Sequence, residues 1–387
     1  MANYDYEIVN GRKIRVRPKE TVSEIDKNGY FRRQPNHFTT PFGDGENDLK
    51  AEGNKRYRLV WAKLCHWSNR AAIVRELEGL EDQISVNMVE HAPHEKNLGW
   101  EYVYNENNID PVLGDQFLSE AYYRADDDYQ GRTTVPALID TTTGKVVNND
   151  YNWLTTYFEV NFRPWHKKGA PELYPVELRE EIDKMNLWLF DNINNAVYRS
   201  SFSRSNEGHF AGVNTFYAAM DRLEKRLETN RFLFGDYVTD SDIRLYVTLA
   251  RLDIRYTAQL GETKHPLYTY KNLWGYAKEL WEIPAFKNNT FFADFAVPPA
   301  DAKGRIEGEE DGFRASTHYD LALPKIDWDA QWKVSTERAY LSSDPTHPIY
   351  LGNNRRFDID PTWYDLGAES PKKEEKETPP SCGCCCG

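Results

Sequence analysis

Cys65 is the residue of this chain whose type and position best suit covalent chemistry. The other four of the five cysteines lie together at the C-terminal end, in CGCCCG. The segment YRLVWA (57–62) predicts a buried strand just before Cys65, and WSNRAAIVRELEG (67–79) predicts a helix just after it. Because the N-terminus of a helix stabilises negative charge, this position favours a reactive thiolate. The alternative is a buried cysteine that packs as a small apolar side chain.

The residues after Cys65 indicate which partner a reactive thiol would need. Ser68 occupies the place of the second cysteine in a C-x-x-C motif, and Arg70, one helical turn on, could add positive charge. A single thiol cannot be released by an internal disulfide. It must form a mixed disulfide with an outside thiol and be freed by another. We therefore expect a small-molecule thiol as cosubstrate.

The elements around Cys65 follow a recognisable order. After the first strand and helix, the patterns predict a strand at 84–89, a polar loop at 90–113, a helix at 115–125, paired strands at 135–140 and 146–149, and a helix at 150–160. The order β-α-β-α-β-β-α is typical of a thioredoxin-like domain. We expect a cis peptide between Val135 and Pro136, which would let the Val135 backbone pair with a peptide-like ligand. The alternative is an ordinary edge-strand proline.

The rest of the chain divides by composition and periodicity. We predict an N-terminal arm (1–46), a thioredoxin-like domain (47–162), a linker (163–175), an all-helical domain (176–297), a C-terminal extension (298–365) and a disordered Cys-rich tail (366–387). Within the helical domain the periodicity predicts helices at 176–200, 207–229, 240–260 and 271–281.

One helix start in this domain carries a clear signal. Thr239 and Asp242 are spaced as a capping box, and Val238 and Ile243 stand at the hydrophobic-staple positions. We therefore assign Asp242 to folding and not to catalysis.

Composition excludes several classes of partner. A net charge of −13 argues against nucleic acid and against anionic membranes, because both require a basic surface. No apolar run approaches the roughly 20 residues of a membrane span, and the N-terminus has no apolar signal-peptide core. We expect a cytoplasmic protein in which Cys65 is a free thiol.

Many segments, in order, resemble the Xi class of glutathione transferases, the glutathionyl-hydroquinone reductases. CHWSNR corresponds to the family's Cys-Pro-Trp-Ala-His-Arg, and YYRADDDYQGRTTVPALID, LFDNINNAVYR, RFLFGDYVTDSDIRL and NLWGYAKELWEIP are also similar, over roughly residues 28–295. The resemblance implies an α/β thioredoxin-like N-terminal domain followed by an all-α glutathione-transferase domain. It also implies a homodimer that uses glutathione as cosubstrate and acts on small quinol–thiol adducts.

The resemblance also assigns the catalytic residues. Cys65 is the nucleophile that attacks the glutathione sulfur and expels the hydroquinone; a second glutathione then releases oxidised glutathione. Tyr198 and Tyr256 correspond to tyrosines beside the quinol, where they could stabilise the phenolate leaving group. The alternative for both tyrosines is packing in the core or at an interface.

Four more residues correspond to glutathione contacts. Trp100 is one; Arg132 is a carboxylate partner, Val135 pairs through its backbone, and Asp150 holds the amino end of the tripeptide. Trp100 could instead pack on the core, and Arg132 could form a surface ion pair.

Three departures from the family pattern bear on function. His66 replaces the family proline; it could tune the thiolate or, as we favour, face solvent. Asp150-Tyr151 replaces a Glu-Ser pair that grips the γ-glutamyl group, so glutathione could bind weakly. The tyrosine expected near FFADFAV is missing, and neither Phe292 nor Phe295 can donate a hydrogen bond.

Two other functions stay open. The first is the same thiol chemistry with another small thiol or adduct. The second is a catalytically silent transferase-fold protein that binds a ligand or partner. The cysteine tail could bind soft metal ions, serve as a thiol donor to Cys65, be a lipidation or crosslinking site, or have no role. Its spacing does not fit zinc, His91 and His94 lie in a loop, and no metal cofactor is expected.

Overall fold

The computed structural model describes residues 4–17, 23–91, 98–257, 260, 266–296, 326–333 and 337–350. The predicted N-terminal arm begins with an antiparallel hairpin, whose strands are β1 (Tyr6–Val9) and β2 (Arg12–Arg15). Asn10 and Gly11, at φ 51° and 77°, form its two-residue turn. An Asn-Gly pair between short strands is the sequence signal for this turn.

The predicted thioredoxin-like order is confirmed. The elements of this domain are β3 (Tyr57–Trp61), α1 (His66–Leu77), β4 (Ile84–Met88), α2 (Leu118–Ala125), β7 (Ala137–Asp140), β8 (Lys145–Asn148) and α3 (Leu154–Val160). The four strands form one sheet in the order β4-β3-β7-β8, with β3 parallel to β4 and antiparallel to β7. The predicted polar loop contains a two-residue strand pair, β5 (Glu90–His91) with β6 (Trp100–Glu101), and a short 3-10 helix, Glu106–Asn108.

Two of these helices begin later than predicted because side chains hold the chain before them. The Glu120 carboxylate accepts the backbone N–H groups of Gln116 and Phe117, which fixes the first turn of α2 at Leu118. The Asp150 carboxylate accepts the Asn152 N–H at 3.0 Å, and this side-chain turn precedes α3. The Glu120 contact to the Phe117 N–H is that of a capping box, which marks the start of a helix, whereas the aspartate turn at Asp150 competes with helical hydrogen bonds.

The helical region follows the prediction, with two interruptions. Its helices are α4 (Arg179–Leu189), α5 (Ala196–Phe202), α6 (Asn206–Arg226), α7 (Asp240–Arg251) and α8 (Lys271–Trp281). Wider π-helical turns, Phe190–Asn194 and Leu252–Tyr256, follow α4 and α7. Such turns often occur at functional sites, and here they precede Tyr198 and contain Tyr256. Short helices α9 (Pro284–Asn288), α10 (Phe292–Phe295) and α11 (Trp328–Trp332), with 3-10 turns, complete the described part.

The capping box at the start of α7 is confirmed. The Asp242 carboxylate accepts the Thr239 N–H at 2.8 Å and its hydroxyl at 2.9 Å. It also accepts the Leu233 N–H and the Tyr276 hydroxyl, and it is fully buried. Asp242 therefore ties three segments of the helical region together, as a folding residue would.

Apolar packing joins the two halves of the chain. One continuous core cluster contains residues of the sheet, of α1 and of the helical region, and α1 packs against α3 and α7. The described part of the extension packs back on this region: Trp332 lies 4.9 Å from Phe292 and 5.0 Å from Trp274, between ring centres. The tail lies outside the described residues, and the predicted domain boundaries stay predictions. In the described part, no helix is long and apolar enough to cross a membrane.

Candidate active site

Cys65 occupies the N-cap position of α1, directly after β3, as predicted. Its side chain is 6% exposed, and its Sγ lies 3.7 Å from the carbonyl oxygen of Val135. The Val135–Pro136 peptide is cis, as expected. Within the described residues the thiol makes no capping hydrogen bond to the helix. The thiol and the backbone that would bind a peptide-like ligand are therefore adjacent.

Ser68 and Arg251 hold the loop that carries Cys65. The Ser68 hydroxyl lies 3.1 Å from both the N–H and the carbonyl oxygen of Ala62, at the end of the strand. Arg251, fully buried on α7, donates to the carbonyl oxygens of Lys63 at 2.7 Å and Leu64 at 2.8 Å. The helical region thus fixes the backbone just before the thiol.

Arg251 was not identified from the sequence, although a signal for it exists. It stands inside the apolar run YVTLARLDI. A charged side chain in such a run needs buried hydrogen-bond partners. Here the partners are the loop carbonyls and the side-chain oxygen of Asn69, 3.0 Å away.

His66 is fully buried, so the interpretation that it faces solvent is wrong. Its Nδ1 lies 3.0 Å from the Tyr256 hydroxyl and 3.3 Å from the Thr248 hydroxyl. Burial lowers the pKa of His66 well below its usual value, and the positive charges of Arg251 and Arg33 lower it further. The imidazole is therefore neutral at physiological pH.

Tyr198 and Tyr256 both contact the His66 ring, with ring centres 5.0 Å and 5.7 Å from it. Burial, with a contribution from Cys65, raises the pKa of Tyr198 to about 12. Burial also raises the pKa of Tyr256 well above its usual value. Both tyrosines are therefore protonated at neutral pH and can donate hydrogen bonds.

Trp67 and Tyr151 extend this cluster into an aromatic wall beside the thiol. The Trp67 ring centre lies 4.7 Å from that of Tyr151, 5.5 Å from Phe190 and 5.9 Å from Tyr198. Trp67 and Tyr151 belong to the same buried cluster as Cys65. This wall, together with Tyr198, Tyr256 and His66, is called the aromatic side of the site below.

Phe292 and Phe295 take no part in the aromatic side. Both are buried in the core, and the Phe292 ring packs on Trp281 and Trp332. The Phe295 ring lies 3.9 Å from the Arg251 guanidinium, where it covers the charge.

Arg132 is engaged by the N-terminal arm. Its guanidinium donates to both carboxylate oxygens of Glu24, at 2.7 Å and 2.9 Å, and its side chain is 39% exposed. The Gln34 side chain bonds the Arg132 backbone N–H at 2.8 Å and its carbonyl at 3.1 Å. Arg132 therefore has a carboxylate partner within the chain, at the place where the tripeptide carboxylate was predicted.

The other predicted glutathione contacts are also engaged. The Asp150 carboxylate accepts from the Asn36 side chain at 2.9 Å. Trp100 is buried on β6, and its ring centre lies 3.8 Å from that of His91. Arg132, Val135, Asp150 and Trp100 are called the glutathione side below. The arm contacts were missed from the sequence because residues 23–38 carry no periodic pattern.

Arg70 adds positive charge close to the site, since it is one of the arginines that lower the pKa of His66, and its effect on the thiol stays a prediction. It is buried, and the carboxylates that act on its charge are Asp240, Glu159 and Asp150. Burial lowers the pKa of Arg70 to about 9. Arg70 therefore belongs to a charge cluster between the domains.

Across the described residues, no group of three or more His, Cys, Asp or Glu side chains could hold a metal ion. His94 and the tail cysteines lie outside that part of the chain.

Comparison with known proteins agrees with this arrangement. The family model "Glutathione S-transferase, C-terminal domain" matches residues 202–279. Glutathione S-transferase omega-like 2 of Schizosaccharomyces pombe is 34% identical over 277 residues, which are 69% of this chain and 87% of the relative. Glutathionyl-hydroquinone reductase YqjG of Escherichia coli is 33% identical over 237 residues, 61% of this chain and 72% of the relative.

The fold comparison points the same way. The match to the glutathione-bound structure of YqjG from Escherichia coli covers 76% of this chain and 94% of the YqjG chain, with a TM-score of 0.63 and 29% sequence identity. The thiol at the start of α1, the cis-proline and the helical half together define a glutathione transferase. The chain belongs to the omega-like, Xi-class glutathione transferase family.

Proposed function

We propose that this protein is a glutathione-dependent reductase that removes glutathione from glutathionyl-hydroquinones through a mixed disulfide at Cys65. The observation that carries the proposal is a free thiol at the start of α1 beside a neutral His66 and two protonated tyrosines. Relatives named glutathionyl-hydroquinone reductase support the same reaction.

The chemistry balances in two displacements. A hydroxyl of the bound hydroquinone passes its proton to the sulfur-bearing ring carbon, which gives the keto form. The Cys65 thiolate then attacks the glutathione sulfur, the sulfur–carbon bond breaks, and its electron pair restores the ring as a phenolate. A second glutathione thiolate attacks the mixed disulfide at the glutathione sulfur. The products are oxidised glutathione and the Cys65 thiolate, and the proton that the second glutathione thiol lost on ionising neutralises the phenolate.

Tyr198 and Tyr256 are assigned to the phenolate. Hydrogen-bond donors fixed at the position where negative charge develops stabilise the transition state more than the ground state. Their raised pKa values keep both hydroxyls protonated for this task. In the tautomer with the proton on Nδ1, His66 donates to the Tyr256 oxygen, which holds the hydroxyl in place and leaves its proton free for the phenolate.

Glutathione is assigned to the four residues of the glutathione side. Arg132 would bind a carboxylate, the Val135 backbone would pair with the peptide, Asp150 would hold the amino group, and Trp100 would complete the contact surface. Arg132 and Asp150 already have partners in Glu24 and Asn36. Binding therefore requires these groups to share or exchange partners.

The first experiment is intact-mass measurement after exposure to oxidised glutathione. We expect one adduct of about 305 Da, reversible by thiol, in the parent protein. Truncation after Ser381 removes the four tail cysteines and should keep the adduct, whereas Cys65→Ser should abolish it. Failure of Cys65 to form an adduct with any small thiol would contradict the proposal. Turnover of glutathionyl-menadiol then tests the hydroquinone specificity.

A second candidate function keeps the same thiol chemistry with another low-molecular-weight thiol. Tyr151 favours it, because the ring packs against Trp67 and Phe190 at a position where the family has a small serine. The rate at which different thiols release the Cys65 mixed disulfide separates the two candidates. A thiol faster than glutathione at equal concentration would favour the second.

A homodimeric assembly and a cytoplasmic location complete the proposal. Both follow from the family resemblance and the expected reduced thiol. Analytical ultracentrifugation of the full chain tests the first, and a fluorescent fusion tests the second.

A further inference from the structure

Arg33, on the N-terminal arm, places a positive charge on the aromatic side. Its guanidinium carbon lies 4.6 Å from the Tyr198 ring centre, 4.7 Å from Trp67 and 5.5 Å from Tyr151. Its Nε donates to the Asn195 side chain at 3.0 Å, which holds the guanidinium in place. Arg33 and Asn195 are 162 positions apart, so only the folded chain brings this charge to the site.

Among the described residues, no carboxylate forms an ion pair with Arg33. Its Nη2 is buried and has no hydrogen-bond partner there. Glu24, the carboxylate whose charge interacts with it, already has both oxygens bonded to Arg132. A guanidinium held over aromatic rings without a carboxylate retains capacity to bind an anion.

The neighbouring side chains also have buried nitrogens without hydrogen-bond partners. The Nε2 of His66 and the Nε1 of Trp67 are both buried without a partner among the described residues. In the tautomer that leaves the Tyr256 proton free, His66 Nδ1 carries the proton and donates to the Tyr256 oxygen, so that Nε2 is an acceptor and Trp67 Nε1 is the donor without a partner. The His66 and Trp67 ring centres are 4.3 Å apart, and Trp67 contacts Arg33. Buried polar atoms without partners are rare in folded proteins, and a ligand that carries both an oxygen acceptor and a hydroxyl donor would satisfy these two.

We propose that Arg33 binds the phenolate oxygen of the aromatic group that leaves when Cys65 attacks the glutathione sulfur. Arg33 therefore selects adducts whose ring can form a phenolate over adducts whose ring cannot. The inference rests on the proposed function and names a residue and a substrate class within it. The guanidinium would neutralise the phenolate that appears when the sulfur–carbon bond breaks. Arg33 would thereby provide, from the arm, a hydrogen-bond donor in place of the family tyrosine that is missing near Phe292 and Phe295.

A binding experiment tests Arg33 without any turnover. The experiment uses a Cys65→Ser background, which removes the thiolate. Quenching of tryptophan fluorescence measures the binding of 4-nitrophenolate and of its neutral methyl ether, 4-nitroanisole. We expect the anion to bind about tenfold or more tightly than the ether. Arg33→Gln should remove this preference, and Arg33→Lys should retain part of it. Arg32→Gln is the matched control, because Arg32 is 68% exposed and pairs with Asp26.

A kinetic experiment tests the use of Arg33 in the reaction. In single turnover of glutathionyl-hydroquinone, the rate constant of Arg33→Gln should be about 10²-fold lower than that of the parent. Chlorine substituents that make the phenol more acidic should reduce this loss, because the leaving anion then needs less help. Formation of the Cys65 adduct from oxidised glutathione should stay within about twofold of the parent, since a thiolate leaves there instead of a phenolate.

The outcomes separate the inference from the proposed function. Loss of anion preference in Arg33→Gln together with a parent that does not turn over glutathionyl-hydroquinone would support the anion site and contradict the function. A parent that turns over normally, with Arg33→Gln equal to it in both experiments, would overturn the inference alone. An equal loss of adduct formation in Arg33→Gln would show that Arg33 acts on the thiol or on folding, which also overturns it.

Discussion

The two sides of the site differ in how their polar groups are satisfied. On the glutathione side, Arg132 and Asp150 are already bonded to Glu24 and Asn36 of the arm. On the aromatic side, Arg33 and its neighbours retain buried nitrogens without partners in the described part of the chain. A ligand entering the first side exchanges hydrogen bonds, whereas a ligand entering the second completes them. Binding energy is therefore expected to come mainly from the aromatic side, because exchange yields little net free energy.

The arm links the two sides. Residues Glu24, Gln34 and Asn36 contact the glutathione side, while Arg33, between them in the chain, reaches the aromatic side. One short segment thus contributes to both sides, with opposite charges at Glu24 and Arg33. Changes in the arm should alter the two sides separately, because each side chain has its own partners.

The largest expected effect tests the aromatic side through Tyr256. Tyr256→Phe removes one hydroxyl donor and should lower kcat for glutathionyl-hydroquinone about 10²-fold, with KM for glutathione unchanged. Steady-state kinetics with both substrates varied measures the two constants.

The matched control for this change is Tyr246→Phe. Tyr246, on α7, is also a buried tyrosine, and its hydroxyl forms a hydrogen bond with that of Thr290 at 2.8 Å. We expect it to lower stability by about 1 kcal/mol and to leave kcat intact. An equal loss of kcat in both variants would mean that Tyr256 acts through packing alone.

The sequence predicted the parts of the site that depend on local pattern. Cys65 at the start of α1 and the cis peptide at Val135 follow from strand and helix signals beside them in the chain. The burial of His66 could not be predicted in this way, because its partner Tyr256 lies 190 positions later. Arg33 and Glu24 stand in an arm without periodicity, and only long-range contacts give them a role. The roles of Tyr198, Tyr256, Trp100 and the other assigned residues stay predictions.

The second prediction concerns pH and the neutral state of His66. Burial and nearby arginines depress its pKa in the folded protein below the usual 6.5. Its contribution to stability is therefore present above the unfolded-state pKa and is lost as the pH falls below about 6.5 towards the folded value. The free energy of unfolding should decrease by up to about 1.4 kcal/mol per pH unit from this residue.

His66→Gln isolates that contribution. Denaturant unfolding at several pH values between 8 and 5 should show a shallower decrease in the variant than in the parent, because the variant has no imidazole to protonate. Identical slopes would mean that His66 gains a proton in the folded protein, and the aromatic side would then be charged at acidic pH.

The smallest expected effect tests the glutathione side through Glu24. Glu24→Gln removes the carboxylate that occupies Arg132 and should lower KM for glutathione, in the release of the Cys65 mixed disulfide, by about two- to fivefold. The effect is small because the pair is partly exposed, with side-chain exposures of 39% for Arg132 and 18% for Glu24. The rate at saturating glutathione should not change. Asp127→Asn, which alters an exposed carboxylate bonded to Arg15, is the control. A rise in KM would show instead that Glu24 holds Arg132 in its binding orientation, and the glutathione side would then be preorganised and not occupied.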